Sequence, residues 1–519
     1  VGAQLRDRAL PAGEAGAPGA LPPLSRRVAG ILAAALTLGA GLACSREPAA
    51  PPAPPPGLAV NDVHSALNPV RVAELTMPGS IPDVQAVVRR AKAAGKAISI
   101  AGARHAMGGQ QFGEGTILID MTGMKDVVRF DRERGLIEVE AGITWPDLLT
   151  FLRDHQMDKG PQWGFRQKQT GADRLTLGGA LSANAHGRGL AMKPIVQDVE
   201  SFILVDAEGT LRRCSRTENP DLFRLVIGGY GLFGVIAQVE LRLMPRVKVE
   251  RVVEVIDLKD LPAAFEKRIA AGFLYGDFQF AIDPAADDCL RRGVFSCYRP
   301  VPEATPLTGD RKELSEENWR ELYYLAHTEP SVAFERYSSF YLGTNGQIDY
   351  SDAHQMGVYL ENYHQALDIR MGAKDPATEM ITELYVPRGE LVPFMEEVRA
   401  YMKDETFGPI YGTVRLIEKD DETFLPWAKD RFACVIFNLH VVHTPAGIEQ
   451  AAGRFRRLID LARARHGSFF LTYHRYATKE QIEDCYPDFA DFLARKKQID
   501  PQERFQSEWY RHYRKMFQP

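Results

Sequence analysis

The sequence predicts an α+β protein of two domains behind an N-terminal leader, and three observations predict it. The 519 residues are too many for one hydrophobic core. The first half alternates a helical period with short apolar strands and twice breaks into glycine-containing loops, at 98–109 and 176–189. The second half carries four stretches that alternate like antiparallel strands, at 382–387, 413–418, 434–442 and 469–473, with helical stretches near 389–403, 446–466 and 478–495. The net charge of -5 argues against a general nucleic-acid binder. No two of the six cysteines form a C-x-x-C pair, which argues against a zinc ribbon or iron–sulfur site, and no metal ligands are assigned. Cys289 and Cys297 are either a disulfide in an oxidising compartment or free buried thiols.

Residues 1–44 read as a leader. A Gly/Ala/Pro-rich stretch at 1–24 precedes Ser25-Arg26-Arg27 and an apolar run from 28 to 43. That run is short for a membrane span, and its order is that of a signal peptide with twin-arginine character. Gly41-Leu42-Ala43-Cys44 is similar to a bacterial lipobox, which makes Cys44 the candidate lipid anchor; an ordinary signal peptide with an incidental cysteine is the alternative. Residues 45–67 begin Pro-rich and read as a tether. Together these place the protein on the periplasmic side of a bacterial membrane, lipid-anchored or soluble.

In the first domain, 68–247, Ser80 caps a helix with Pro82 in its first turn, and Ile81, Val84, Val88 and Ala91 recur at helical spacing. Residues 97–100 read as a strand running into the loop Ala103-Arg104-His105-Ala106-Met107-Gly108. Strands follow at 117–121 and 136–140, then a helix capped by Thr144. Residues 163–171 lead as a loop into Thr176-Leu-Gly178-Gly179, with Ser182, Asn184, His186 and Gly187 beyond. Small residues let backbone N–H groups turn toward a ligand, so two such loops in one α/β pattern suggest a large phosphate-bearing ligand cradled from both sides. A hairpin at 202–205 and 211–214 turns at Glu208-Gly209, a helix starts at Asn219-Pro220, and the run Gly228-Gly-Tyr-Gly-Leu-Phe-Gly234-Val235-Ile236 opens a strand to 243. Here the strand follows the glycines, the reverse of a dinucleotide fingerprint, so a plain NAD dehydrogenase fails on order.

These two loops, the 228–236 run, Val414-Arg415 after Tyr411-Gly-Thr, and Asp500-Pro-Gln-Glu-Arg-Phe505 resemble the vanillyl-alcohol-oxidase superfamily of PCMH-type FAD-binding oxidoreductases, nearest to its sugar and aldonolactone (alditol) oxidase branch. The resemblance implies a two-subdomain FAD-binding domain over 68–247, an antiparallel-sheet-and-helix substrate (cap) domain over 248–480, and a C-terminal return to the FAD domain over 481–519. It implies FAD held by 103–108, Thr176, Gly178, Gly179, Ser182, Asn184, His186, Gly187, Gly234, Val235 and Ile236. It also places at His105 a histidine that often bonds covalently to the flavin; the alternative is a histidine that only hydrogen-bonds it. His186 reaches flavin or substrate, or faces solvent. No cysteine lies between Cys44 and Cys214, so a second flavin link through cysteine is excluded.

In the second domain Thr413 and Arg415 share a strand face, as do Glu383 and Tyr385, and Asn438 and His440. In relatives an arginine at the Arg415 position stabilises reduced flavin and positions a substrate hydroxyl. Two departures stand beside it: Thr413 replaces the family's glutamate, and Tyr473-His474 stands where relatives often have a lysine. Tyr473, His474 and His440 are therefore the candidate proton acceptors. The expected activity is oxidation of an alcohol carbon of a polyol, sugar or lactone by hydride transfer to flavin, with oxygen, a quinone or a cytochrome as acceptor. Oxidation of a lipid-linked sugar, an amine or a phenolic alcohol, or a non-enzymatic lipoprotein module, are the alternatives.

Overall fold

A computed structural model describes residues 57–158, 160–357 and 360–518. The leader, Cys44 and most of the tether lie outside the described residues. Strands β1 (Leu58–Val60) and β2 (Val70–Val72) pair antiparallel. Next come β3 (Glu74–Thr76), α1 (Ile81–Ala93), β4 (Ile98–Ala101) and β5 (Ile117–Asp120), which form a parallel sheet in the order β3-β5-β4. β6 (Val127–Asp131), β7 (Leu136–Glu140), α2 (Trp145–Asp154), β8 (Trp163–Gly164), α3 (Leu177–Ala183), β9 (Val199–Val205), β10 (Leu211–Ser215), α4 (Pro220–Val226), β11 (Val235–Arg242) and β12 (Met244–Pro245) follow. Five of these strands make an antiparallel sheet in the order β10-β9-β11-β7-β6.

The remaining elements are β13 (Lys248–Asp257), α5 (Leu261–Ala270), β14 (Tyr275–Phe280), β15 (Arg292–Pro300), α6 (Glu316–Thr328), α7 (Pro330–Leu342), β16 (Ile348–Tyr350), α8 (Tyr363–Met371), β17 (Ala377–Pro387), α9 (Leu391–Asp404), β18 (Tyr411–Ile417), β19 (Phe432–Val442), α10 (Pro445–Arg463), β20 (Ser468–Phe469), α11 (Lys479–Cys485), α12 (Phe489–Ile499) and α13 (Glu508–Phe517). Their strands form one eight-stranded sheet, β16-β13-β15-β14-β18-β19-β17-β20. The fold is thus mixed helix and sheet. Among the described residues no helix is long and apolar enough to cross a membrane.

Local chemistry explains the helix starts that matter for the site. Ser80, Thr144 and Thr176 are extended and accept from the N–H of Asp83, Asp147 and Gly179, capping α1, α2 and α3. The period of two in β17 sends Met380 and Leu384 into the core, while Glu379, Ile381 and Glu383 face a large cavity. The chain end returns to the first sheet: Ile98 N–H donates to Arg504 O at 2.6 Å and Gln506 N–H to Ile98 O at 2.8 Å. Phe505 then packs among Val84, Ile117 and Val235.

Two expected elements differ. The strand expected at 469–473 stops at Phe469, because the carbonyls of Leu471 and Thr472 accept from Gln110 and Gly108 of the first glycine loop instead of from a neighbouring strand. The helix expected at 478–495 is two helices, broken at Tyr486-Pro487, since proline lacks the N–H that would continue the first. Cys289 and Cys297 are both buried and free.

Lys496 is fully buried and pairs with Asp500, whose carboxylate also accepts from Phe505 N–H at 2.9 Å. Lys496→Ala leaves that carboxylate buried without its charge partner, and thermal unfolding should show a loss of about 3–5 kcal/mol. An unchanged transition would mean that the pair does not hold the chain end in place.

Candidate functional site

The two glycine segments and one face of the eight-stranded sheet enclose a cavity of about 710 Å3. On one side lie residues 102–107, Thr176, Gly178, Gly179, Ser182, Gly234 and Ile236. The segments touch: a Cβ on Gly102 would fall 2.1 Å from Thr176 Oγ1, so only glycine lets them close together. The carbonyls of Arg104, Ala106 and Met107 turn away into protein, accepting from Val63 N–H, Gln111 Nε2 and Asn68 Nδ2 at 2.6–3.1 Å. The N–H groups of Ala103, Arg104 and Ala106 have no hydrogen-bond partner among the described residues. Arg104 sits at φ +62°, a left-handed conformation that a side chain makes costly, and it is ion-paired with Asp120 at 3.1 Å. A loop with its carbonyls satisfied and its N–H groups open is built to receive an anion.

His105 lines this side, its Nδ1 2.8 Å from His64 Nε2. Burial, then the neighbouring His64 and Arg174, lowers its pKa to about 3, so the ring is neutral at pH 7 and keeps a nitrogen lone pair.

The opposite wall is organised around Glu383 on β17. Its oxygens accept from Tyr473 Oη and Tyr385 Oη, each at 2.8 Å, and His186 Nε2 lies 2.8 Å away. Burial alone would raise the pKa of this carboxyl. The charge and hydrogen bond of His186, the nearby Arg415 and the Tyr385 hydroxyl outweigh burial and hold it at about 2. Gln169 Nε2 donates to Tyr473 Oη at 2.9 Å, completing a chain from Gln169 through Tyr473 to Glu383. Burial first, then the charge of Glu383, raises Tyr473 well above the usual phenol value, so the hydroxyl keeps its proton.

Buried side-chain atoms of cavity-lining residues that have no hydrogen-bond partner among the described residues include Gln111 Oε1, Arg188 Nε, Gln279 Oε1, Arg415 Nε, Asn438 Oδ1 and Thr472 Oγ1. Buried polar atoms are normally paired, so this concentration marks the cavity as the place for a polar ligand.

The structure does not bring every sequence candidate to the cavity. His474 is stacked against Phe455, with ring centroids 4.5 Å apart, its Nε2 3.3 Å from Thr382 Oγ1, and it lines nothing. His440 faces Glu379 and His327 and is also outside the cavity lining. His186 lies behind the wall, where its ring packs against Trp427 and supports Glu383. Asn184 ends α3 at φ +50° and spends its side chain on Asp420 and the Val196 N–H. Gly187 packs on Lys168, Gly108 N–H is taken by Thr472 O, and Val235 is core. Sequence reasoning placed Glu383 with Tyr385 on a polar strand face but gave it no role, and it did not nominate Arg188, Gln169 or Gln279. Glu383 was readable as a carboxylate in an apolar strand, and Arg188 as the charged residue inside the second glycine segment.

Residues 73–215 match the family model of an FAD binding domain, and residues 374–513 that of D-arabinono-1,4-lactone oxidase. L-gulonolactone oxidase of Mus musculus is 29% identical over 33% of this chain and 37% of its own length. L-galactono-1,4-lactone dehydrogenase of Arabidopsis thaliana is 26% identical over 40% of this chain and 34% of its own. An uncharacterized oxidoreductase from the fasciation locus of Rhodococcoides fascians is 29% identical over 33% and 37%. The chain thus spans little more than a third of these relatives' length. Two regions of the chain thus match the PCMH-type FAD-binding oxidoreductases of the aldonolactone oxidase branch. Its cofactor is FAD, and the open N–H groups and unpartnered polar atoms of the cavity fit that group.

Burial lowers the pKa of His474 to about 3, so the folded protein holds it neutral while the unfolded chain protonates it near pH 6.5. Between those values the unfolded state binds one more proton, and this residue's share of stability falls as pH falls. At pH 5 the deficit is about 2 kcal/mol. His474→Phe should remove it, so the melting temperature of the variant should gain on wild type from pH 7 to pH 5; parallel curves would refute the assignment.

Proposed function

We propose that this chain is an FAD-dependent oxidoreductase that oxidises a CH–OH carbon of a sugar lactone or related polyol, with oxygen or a quinone or cytochrome as final acceptor. The observation that carries this reading is the polar wall of the cavity. Tyr473 and Glu383 form a proton path there, and Arg188, Gln279, Arg415 and Asn438 present unpartnered atoms to a hydroxyl-rich ligand. Family matches cover both the FAD-binding region and this wall.

FAD, when bound, supplies the hydride acceptor. The chain's own part is positional and electrostatic. Ala103, Arg104 and Ala106 would hold phosphate oxygens through their backbone N–H groups, and Gly178 and Gly179 let the cofactor approach closely. The guanidinium of Arg415 would favour negative charge on the reduced ring and orient a substrate hydroxyl. Tyr473, its proton hydrogen-bonded to ionised Glu383 and its oxygen held by Gln169, would present an oxygen lone pair to the substrate hydroxyl and draw on its proton as hydride leaves, the Glu383 charge making that oxygen more basic. Glu383 therefore takes the place of the carboxylate that Thr413 does not supply. His105, neutral and at the cavity wall, would bond the flavin covalently.

On the sequence of the leader, we further propose export with Cys44 as lipid anchor. The mass of the mature N-terminal peptide tests this.

Absorbance before and after acid precipitation tests the cofactor link. Yellow colour should stay with the pellet in wild type and move to the supernatant in His105→Ala; flavin released from wild type would retire the covalent bond and leave the activity. A folded preparation with no flavin, even after FAD is added, would sink the enzyme reading. Tyr473→Phe should keep its flavin and lower kcat on an aldonolactone about 10²–10⁴-fold, measured by anaerobic flavin reduction. A wild-type rate in that variant would remove Tyr473 from the proton path.

A further inference from the structure

Four residues before Glu383, on the same face of β17, Glu379 stands at the centre of a second cluster. His440 of β19 lies directly opposite it in register, and His327 reaches it from the last turn of α6. His327 Nε2 is 3.2 Å from Glu379 Oε1, His440 Nδ1 is 3.4 Å from the same oxygen, and the two nitrogens are 3.3 Å apart. The three edges of this triangle are nearly equal. Tetrahedral zinc sites have bonds of about 2.0–2.1 Å, which places their ligand atoms about 3.3–3.4 Å from one another.

Hydrogen bonds alone explain the triangle poorly. Charge-assisted N–H···O contacts run at about 2.7–2.9 Å, and one proton can occupy only one edge. The tutoring contact is at the other nitrogen of His327: its Nδ1 lies 2.8 Å from Tyr323 O, which can only accept, so Nδ1 carries the hydrogen. With Nδ1 so occupied, Nε2 is the ring nitrogen turned to the Glu379 oxygen, and in the neutral ring its lone pair is free to ligate a cation placed between them. A backbone carbonyl fixing the far nitrogen is also the usual support of a metal-binding histidine. The second oxygen of Glu379 is held from outside, by Tyr363 Oη at 2.7 Å and with His364 Nδ1 also 2.7 Å away. The His186–Glu383–Cys434 group fails the same comparison. Its 2.8 Å contact is an ordinary hydrogen bond, its thiol stands off at 3.8–3.9 Å, and both Glu383 oxygens already accept from tyrosines.

We propose that His327, His440 and Glu379 bind a divalent metal ion of the zinc class, with a fourth position left to water or another oxygen donor. His440, partly open to solvent, offers the way in, whereas His327 and Glu379 are almost fully enclosed. A bound ion ties α6 to the β17–β19 pair that forms the cavity wall. The two histidines are 113 residues apart, and His440 is 61 from the carboxylate, so no spacing motif announces it.

The purified full chain, stripped with chelator and returned to metal-free buffer, is titrated with Zn²⁺. Metal content is read by atomic emission and melting temperature by calorimetry. About one Zn²⁺ should bind per chain, and the melting temperature should rise with its concentration. Glu379→Gln and His440→Ala should each weaken binding by on the order of tenfold or more and remove the thermal response. His466→Asn, at an exposed turn, should keep both. Glu379→Gln preserves side-chain size, and far-UV circular dichroism checks that it folds. Wild-type zinc at background level, or equal binding and equal thermal response in folded Glu379→Gln, overturns the proposal whatever the flavin content.

Discussion

An ionised carboxylate removed from water is stable only where donors replace its hydration, and the cavity wall is arranged around one such group. Glu383 sits on the most buried part of β17, with two phenols and an imidazole directed at its oxygens. Those partners come from β17 itself, from the segment after β20 and from the second glycine segment. Meeting the hydrogen-bonding demand of one side chain therefore brings three distant parts of the chain together. It also accounts for the end of β20, since the chain must leave the sheet for Tyr473 to reach Glu383 and for the Leu471 and Thr472 carbonyls to receive donors from the first glycine loop.

The opposite wall follows a complementary rule. There the protein satisfies its carbonyls and leaves N–H groups open, and it permits close contact only where glycine removes a Cβ, as at Gly102 against Thr176. Between the walls lie unpartnered guanidinium and amide atoms that would be costly in a closed core. One wall thus suits phosphate and flavin, and the other a small hydroxylated molecule.

Much of this was legible in the residues. The caps Ser80, Thr144 and Thr176 act locally, through N–H groups three positions away, so they read directly from sequence. The two glycine loops and the alternation of β17, β18 and β19 read equally well, because both depend on periods of a few residues. His474 and His440 did not. A histidine in a stretch that alternates like a strand looks the same whether its neighbour in space is substrate, Phe455 or Glu379. Glu383 and Thr413 show the same gap: the expected carboxylate position holds threonine, and the carboxylate that faces Arg415 arrives from another strand.

By itself the sequence determined the order of elements, the two loops shaped for a phosphate-bearing ligand, and a flavoprotein family resemblance, since each rests on local spacing or on motifs carried within short stretches. Only the tertiary structure decided which polar side chains share a space. It set Tyr473 and Glu383, 90 residues apart, within one hydrogen bond, and placed His327 beside His440. It also withdrew His474 into an aromatic stack. The physical reason is that hydrogen bonding and desolvation act over a few ångströms, and strand register, not position along the chain, determines which groups come that close.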